Sequence, residues 1–119
     1  EVEMGIAMAF TGSMQIELIQ QHNKAPSMYQ NFVNDFGEGI QHVCFYPEDY
    51  DSALTSLTEK GMKVGQDGAI RGMRFAYLEG MDGNILEIGD IPKSVRFRRQ
   101  EDIASAANWD GSNPVRVFR

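Results

Sequence analysis

From Val2 to Phe10 the large residues Val2, Met4, Ile6, Met8 and Phe10 alternate with small or polar ones. A period of two places each set on one face of a strand. Thr11-Gly12-Ser13 reads as a turn and Met14–Gln20 as the returning strand of a hairpin. In that strand Gln15, Glu17 and Ile19 share one face, and Met14, Ile16 and Leu18 the other. The period then changes. Ser27, with Gln30 three residues on, makes a capping-box pattern. Met28, Phe32 and Phe36 follow at i, i+4 and i+8 and Gly37 stops them, which predicts a short helix. Ile40–Tyr46 returns to strand, with His42, Cys44 and Tyr46 on one face. Pro47 opens a second helix running to about Lys60, with Tyr50, Ala53, Leu54 and Leu57 as its core stripe and Gly61 as its stop. Strands are predicted at Met62–Val64, Met73–Leu78 and Asn84–Gly89, the last two joined by an Asp82-Gly83 turn. The Gly65–Gly72 stretch reads as a flexible connection able to cover a ligand; it lacks the Lys-Ser/Thr of a phosphate loop. Beyond Pro92 a short helix is predicted near Gln100–Asn108, then a turn at Trp109-Asp110-Gly111.

Length and composition narrow the class. A chain of 119 residues with 42% hydrophobic and 24% charged residues fits one soluble domain, or two small pseudo-repeats sharing a core. The net charge of −6 argues against nucleic-acid binding, which needs a basic footprint. No apolar run approaches a membrane span, and no signal peptide is visible. The single Cys44 excludes an internal disulfide framework, so a cytoplasmic location is expected. Charge is uneven: residues 1–92 hold 5 basic and 14 acidic groups, and residues 93–119 hold 6 basic and 3 acidic. The basic tail is expected to dock on its own domain or on a partner subunit; binding an anionic ligand is the sharper alternative.

Two carboxylates interrupt otherwise apolar strands in the same frame, in Met14-Gln15-Ile16-Glu17-Leu18-Ile19 and Asn84-Ile85-Leu86-Glu87-Ile88-Gly89. An unpaired charge in such a place is costly to desolvate, so each needs a partner. His42 lies in a third apolar run, and together these residues point to a metal site or a general acid/base site. Each glutamate strand also follows a strand and a turn. This is the end of a strand–helix–three-strand module used twice. His42 precedes Glu87 by 45 residues, and the same step back from Glu17 falls at position −28. The opening strand and helix of the first module are therefore expected to be missing from this chain. The domain reading is a hairpin closing the first module over 1–23, a linker with a short helix over 24–39, the second module over 40–92, and a basic arm over 93–119.

These residues resemble the vicinal oxygen chelate superfamily, which includes lactoylglutathione lyases, methylmalonyl-CoA epimerases, extradiol dioxygenases and bleomycin- or fosfomycin-resistance proteins. Gln15-Ile16-Glu17-Leu18-Ile19-Gln20, Gly37-Glu38-Gly39-Ile40-Gln41-His42-Val43-Cys44-Phe45, the Asp49–Gly61 helix and Gly83-Asn84-Ile85-Leu86-Glu87-Ile88 carry the resemblance, which spans about residues 1–92. The phrase Gly-Glu-Gly-Ile-Gln-His-Val, followed by the helix and Leu-Glu-Ile, is similar to lyase-like members. The resemblance implies an α+β fold of paired modules curving around a shared cavity. It implies Glu17, His42 and Glu87 as metal ligands, with Glu17 or Glu87 as the catalytic base. The fourth ligand, on the first module's opening strand, has no counterpart. Gln15, Cys44, Tyr46, Phe75 and Tyr77 are the expected substrate-facing residues.

One imidazole and two carboxylates suit zinc, manganese, iron, cobalt or nickel. The reading is a metal-dependent lyase or isomerase acting on a small oxygenated substrate, in a homodimer with swapped or shared modules. Two others stay open. The same fold also serves sequestering proteins that bind a small molecule without turnover. In a metal-free structural subunit, the glutamates would pair with arginines such as Arg71 or Arg74.

Overall fold

The computed structural model describes residues 1–117, so the end of the basic tail, Phe118 and Arg119, lies outside the described residues. The elements are β1 (Met4–Thr11), β2 (Met14–Gln21), α1 (Met28–Phe36), β3 (Val43–Phe45), α2 (Tyr50–Glu59), β4 (Lys63–Ile70), β5 (Met73–Glu79), β6 (Ile85–Asp90) and α3 (Lys93–Ala107). β1 and β2 form a two-stranded sheet; the other strands form a four-stranded sheet in the order β3-β6-β5-β4. β3 runs parallel to β6 and the remaining pairs are antiparallel, so the second sheet is mixed. The fold is α+β, as the patterning predicts. The chain divides into two compact units, one of residues 1–4 and 21–92 and one of residues 5–20 with the chain from Lys93 onward.

In the larger unit, α2 covers one face of the mixed sheet. Asp49 caps it by accepting the Ser52 N–H at 2.9 Å, which holds its carboxyl below the usual carboxylate range. Tyr50, Ala76, Leu78 and Ile88 form the core, with Ala53, Leu54, Leu57 and Met62 packed against it. Leu78 and Ile88 are fully buried. The same sheet face ends in an ion cluster. Arg74 reaches Asp51 on α2 at 3.0 Å and its cross-strand partner Asp90 at 2.9 Å, with its guanidinium 4.5 Å over the Tyr50 ring. These carboxylates push the Arg74 pKa up, and burial raises that of Tyr50.

α1 belongs to the other face. Ser27 caps it by accepting the Gln30 N–H at 3.0 Å, and donates its own proton to Gln21 Oε1 at 2.6 Å. The predicted capping box is half formed, because the Gln30 side chain instead reaches Asn34 at 2.9 Å. Gly37 ends the helix at φ 77°.

Three boundaries depart from the patterning. The Gly65–Gly72 segment is not a flexible connection: most of it is β4, paired with β5 from Lys63 to Ile70. Arg71 and Gly72 both take positive φ (50° and 79°), the two-residue hairpin geometry that keeps strands paired. Gly68 lies under the Phe75 ring, where a Cβ would stand 2.9 Å from it, so the glycine gives the aromatic its place. β3 is shorter than Ile40–Tyr46, and His42 sits just before it. The tail helix begins at Lys93 rather than near Gln100. Pro92 precedes it, which suits a helix start.

In the smaller unit, the hairpin turns at Gly12-Ser13 with Gly12 at φ 58°. Arg99 of α3 lies 5.5 Å over the Phe10 ring and donates to Gln15 Oε1. The basic arm thus engages its own hairpin. Met14, Ile16 and Leu18 on β2 are exposed. Among the described residues, no helix is long and apolar enough to cross a membrane.

Candidate functional site

The sheet face opposite α2 carries the polar chemistry. Register places Cys44, Glu87, Tyr77 and Gln66 in one row across β3, β6, β5 and β4. His42 precedes β3 by one residue, which puts its ring over this row. Its Nε2 lies 3.1 Å from Glu87 Oε2, with the two side chains only 10% and 15% exposed. On the ring's other side Nδ1 lies 2.5 Å from Gln41 Oε1. Both ring nitrogens therefore face an acceptor. A neutral imidazole donates from one nitrogen only, so a cation beside the other would let both contacts be favourable.

Aromatic rings fix this geometry. His42 packs edge-on against Tyr77 at 5.0 Å, and Tyr77 against Phe75 at 5.8 Å and Tyr29 at 5.6 Å. The Tyr29 and Tyr77 hydroxyls are hydrogen-bonded at 2.8 Å. Tyr46 lies over Gly89, where a Cβ would stand 2.8 Å from the ring. Gly89→Ala is expected to cost about 1–3 kcal/mol by overpacking, read as a lowered urea midpoint, because a ring edge cannot give way as a flexible chain end can.

Of the residues expected from the sequence, His42, Glu87, Cys44, Tyr46, Phe75 and Tyr77 all belong to this one unit, and His42, Glu87 and Tyr77 are brought together. Glu17 and Gln15 sit on the hairpin of the other unit. There Gln15 accepts from Arg99 and its Nε2 lies 3.0 Å from Met8 Sδ. Arg74 is committed to Asp51 and Asp90, on the sheet face away from Glu87. Sequence reasoning missed Tyr29 and Gln41. Tyr29 lies outside the apolar stripe of α1, and Gln41 has only its place beside His42 to mark it.

The donor set fits a divalent ion, since an imidazole nitrogen and a carboxylate oxygen stand side by side and shielded from solvent. The residues over 1–77 match the family model of the glyoxalase/bleomycin resistance protein/dioxygenase superfamily. The chain belongs to that superfamily. Members of this glyoxalase superfamily include metal-dependent isomerases, epimerases and lyases, and the family binds small-molecule substrates. Glu17 and His42 lie inside the matched stretch and Glu87 beyond it. Among solved structures, a hypothetical protein from Bacillus halodurans C-125 is 22% identical with a TM-score of 0.64, over 76% of this chain and 68% of that one. A Streptomyces coelicolor methylmalonyl-CoA epimerase, in complex with 2-nitronate-propionyl-CoA, is 19% identical with a TM-score of 0.58, over 77% of this chain and 69% of that one. At these identities the likeness is one of fold. No curated protein matches the chain.

Proposed function

We propose that this superfamily member is a metal-dependent lyase or isomerase of the glyoxalase type, acting on a small oxygenated substrate. The observation that carries the reading is the shielded contact of His42 Nε2 with Glu87, on a sheet face walled by Tyr46, Phe75 and Tyr77. Glu17, which recurs in the frame of Glu87, is the third ligand in this reading. A divalent ion held by Glu17, His42 and Glu87 would polarise a substrate carbonyl or enediolate oxygen and acidify the neighbouring C–H. The chain's own residues do the rest. Glu87 or Glu17 takes the proton from that carbon and returns it. Tyr77 holds the imidazole edge-on, and the aromatic wall keeps water from the carbon that bears the charge.

The test is elemental analysis of protein purified without chelator, with His42→Ala beside it. About one divalent ion per chain, lost in the variant, is expected for a site built on a single imidazole. Proton exchange on 2-oxo and 2-hydroxy compounds would then follow it. If neither protein takes up metal after zinc, nickel and manganese are added, the catalytic reading fails and a ligand-binding module replaces it.

A further inference from the structure

We propose that Gln41 is a positioning residue for His42: its side-chain oxygen takes the Nδ1 proton, and so leaves Nε2 as the nitrogen that faces Glu87 for a cation. The proposal rests on the metal reading above and names a residue outside the ligand set.

Two facts about the carboxamide carry it. Gln41 Oε1 is 2.5 Å from His42 Nδ1, while Gln41 Nε2 is buried without a hydrogen-bond partner among the described residues. Turned over, the amide would present its NH2 to Nδ1 and leave its oxygen bare. Buried carbonyl oxygens tolerate isolation better than buried N–H groups. The orientation with oxygen toward the ring is nonetheless the one required when Nδ1 holds the proton, the state that a cation on Nε2 imposes. Nδ1 must carry a proton for its short contact with an oxygen to be attractive.

The ring has little freedom to answer in another way. Tyr77 packs edge-on against it at 5.0 Å and is itself tied to Tyr29 through the hydroxyls at 2.8 Å. With the ring plane held, only the position of the proton is left to choose. A proton on Nδ1 puts the lone pair on Nε2, the nitrogen 3.1 Å from the Glu87 carboxylate. That pair of electron-rich atoms is what a divalent cation binds. Ligating histidines generally donate their second N–H to an acceptor, and losing that acceptor weakens metal binding about 10–100-fold.

The experiment uses the full chain with 15N-labelled histidine, stripped by chelator and then loaded with Zn2+, in the natural sequence and in Gln41→Leu and Gln41→Glu. The 15N ring shifts should place the proton of His42 on Nδ1 in the natural and Gln41→Glu proteins, stripped or loaded, because glutamate keeps the acceptor. In Gln41→Leu that hydrogen-bonded signal should vanish and Zn2+ affinity fall about 10–100-fold. The thermal midpoint is measured beside it: an affinity loss in Gln41→Leu with the fold intact, recovered in Gln41→Glu, separates positioning from a purely structural role. Gln41→Leu with unchanged affinity and an unchanged Nδ1 signal would overturn the proposal, as would a stripped natural protein with its proton on Nε2 and Nδ1 bare. Should Gln41→Leu not fold, loss of the Nδ1 signal in Gln41→Glu would overturn it equally. Failure of the natural protein to take up Zn2+ would strike the metal reading instead, and the stripped spectra would still decide the role of Gln41.

Discussion

Glu87→Gln is expected to lower proton exchange at the substrate carbon by about 10²–10⁴-fold, the usual worth of a positioned general base. That range corresponds to about 3–5 kcal/mol of transition-state stabilisation. Glutamine keeps the shape of glutamate, so the β6 register of Tyr77 with position 87 should survive and the variant should fold. What disappears is the charge beside His42 Nε2 and the lone pair able to accept a proton. The decisive reading separates kcat from KM. A fall confined to kcat marks a group acting in the transition state, while a rise in KM alone would mean that Glu87 only helps to seat the substrate. A variant exchanging protons at the natural rate would remove Glu87 from the mechanism.

The second large effect is on stability. Leu78→Ala should destabilise the larger unit by about 2–5 kcal/mol, read from urea unfolding followed by circular dichroism. Leu78 on β5 is fully buried, in a cluster that among the described residues joins Tyr50, Ala76, Leu78 and Ile88 under the α2 stripe. So thin a core has little material to collapse into the space left by the lost side chain. The whole domain is held by about 5–15 kcal/mol, so this one truncation removes a large share of it. Leu18→Ala on the hairpin is the control: at 67% exposure it should change stability by less than about 0.5 kcal/mol. Equal losses in the two variants would contradict the placement of the core.

The elements legible in the sequence were those whose burial leaves a period. α2 shows because Tyr50, Ala53, Leu54 and Leu57 all face one sheet, and β5 and β6 show as short apolar runs bounded by turns, in keeping with the burial of Ala76, Tyr77 and Leu78 in succession. β4 was legible only at its start, Met62–Val64; the rest escaped because its glycines serve by lacking a side chain, which leaves room for the Phe75 ring at Gly68 and for Met28 at Gly65. The first half of α3 escaped because Arg96, Arg98 and Arg99 break any apolar stripe there, and basic residues at a helix start oppose its dipole. His42 and Glu87 stood out as polar residues where the strand pattern calls for apolar ones. Gln41 and Tyr29 did not, because each sits where a polar or amphipathic side chain is ordinary. Their importance lies in the atoms they touch, which a sequence does not record.

The parallel pairing of β3 with β6 has a consequence for how the chain folds. Antiparallel hairpins such as β4–β5 close over two residues, but His42 meets Glu87 only after the 44 residues between them have been laid down. Closing so long a loop is entropically slow, so this edge of the sheet is set to form late. An ion taken up there would act as a reversible cross-link on the last contact made. It would bind the native state alone, adding about 2.7 kcal/mol of stability at a hundredfold excess over its dissociation constant. The pair proposed to run the chemistry would then also be the latch on the fold.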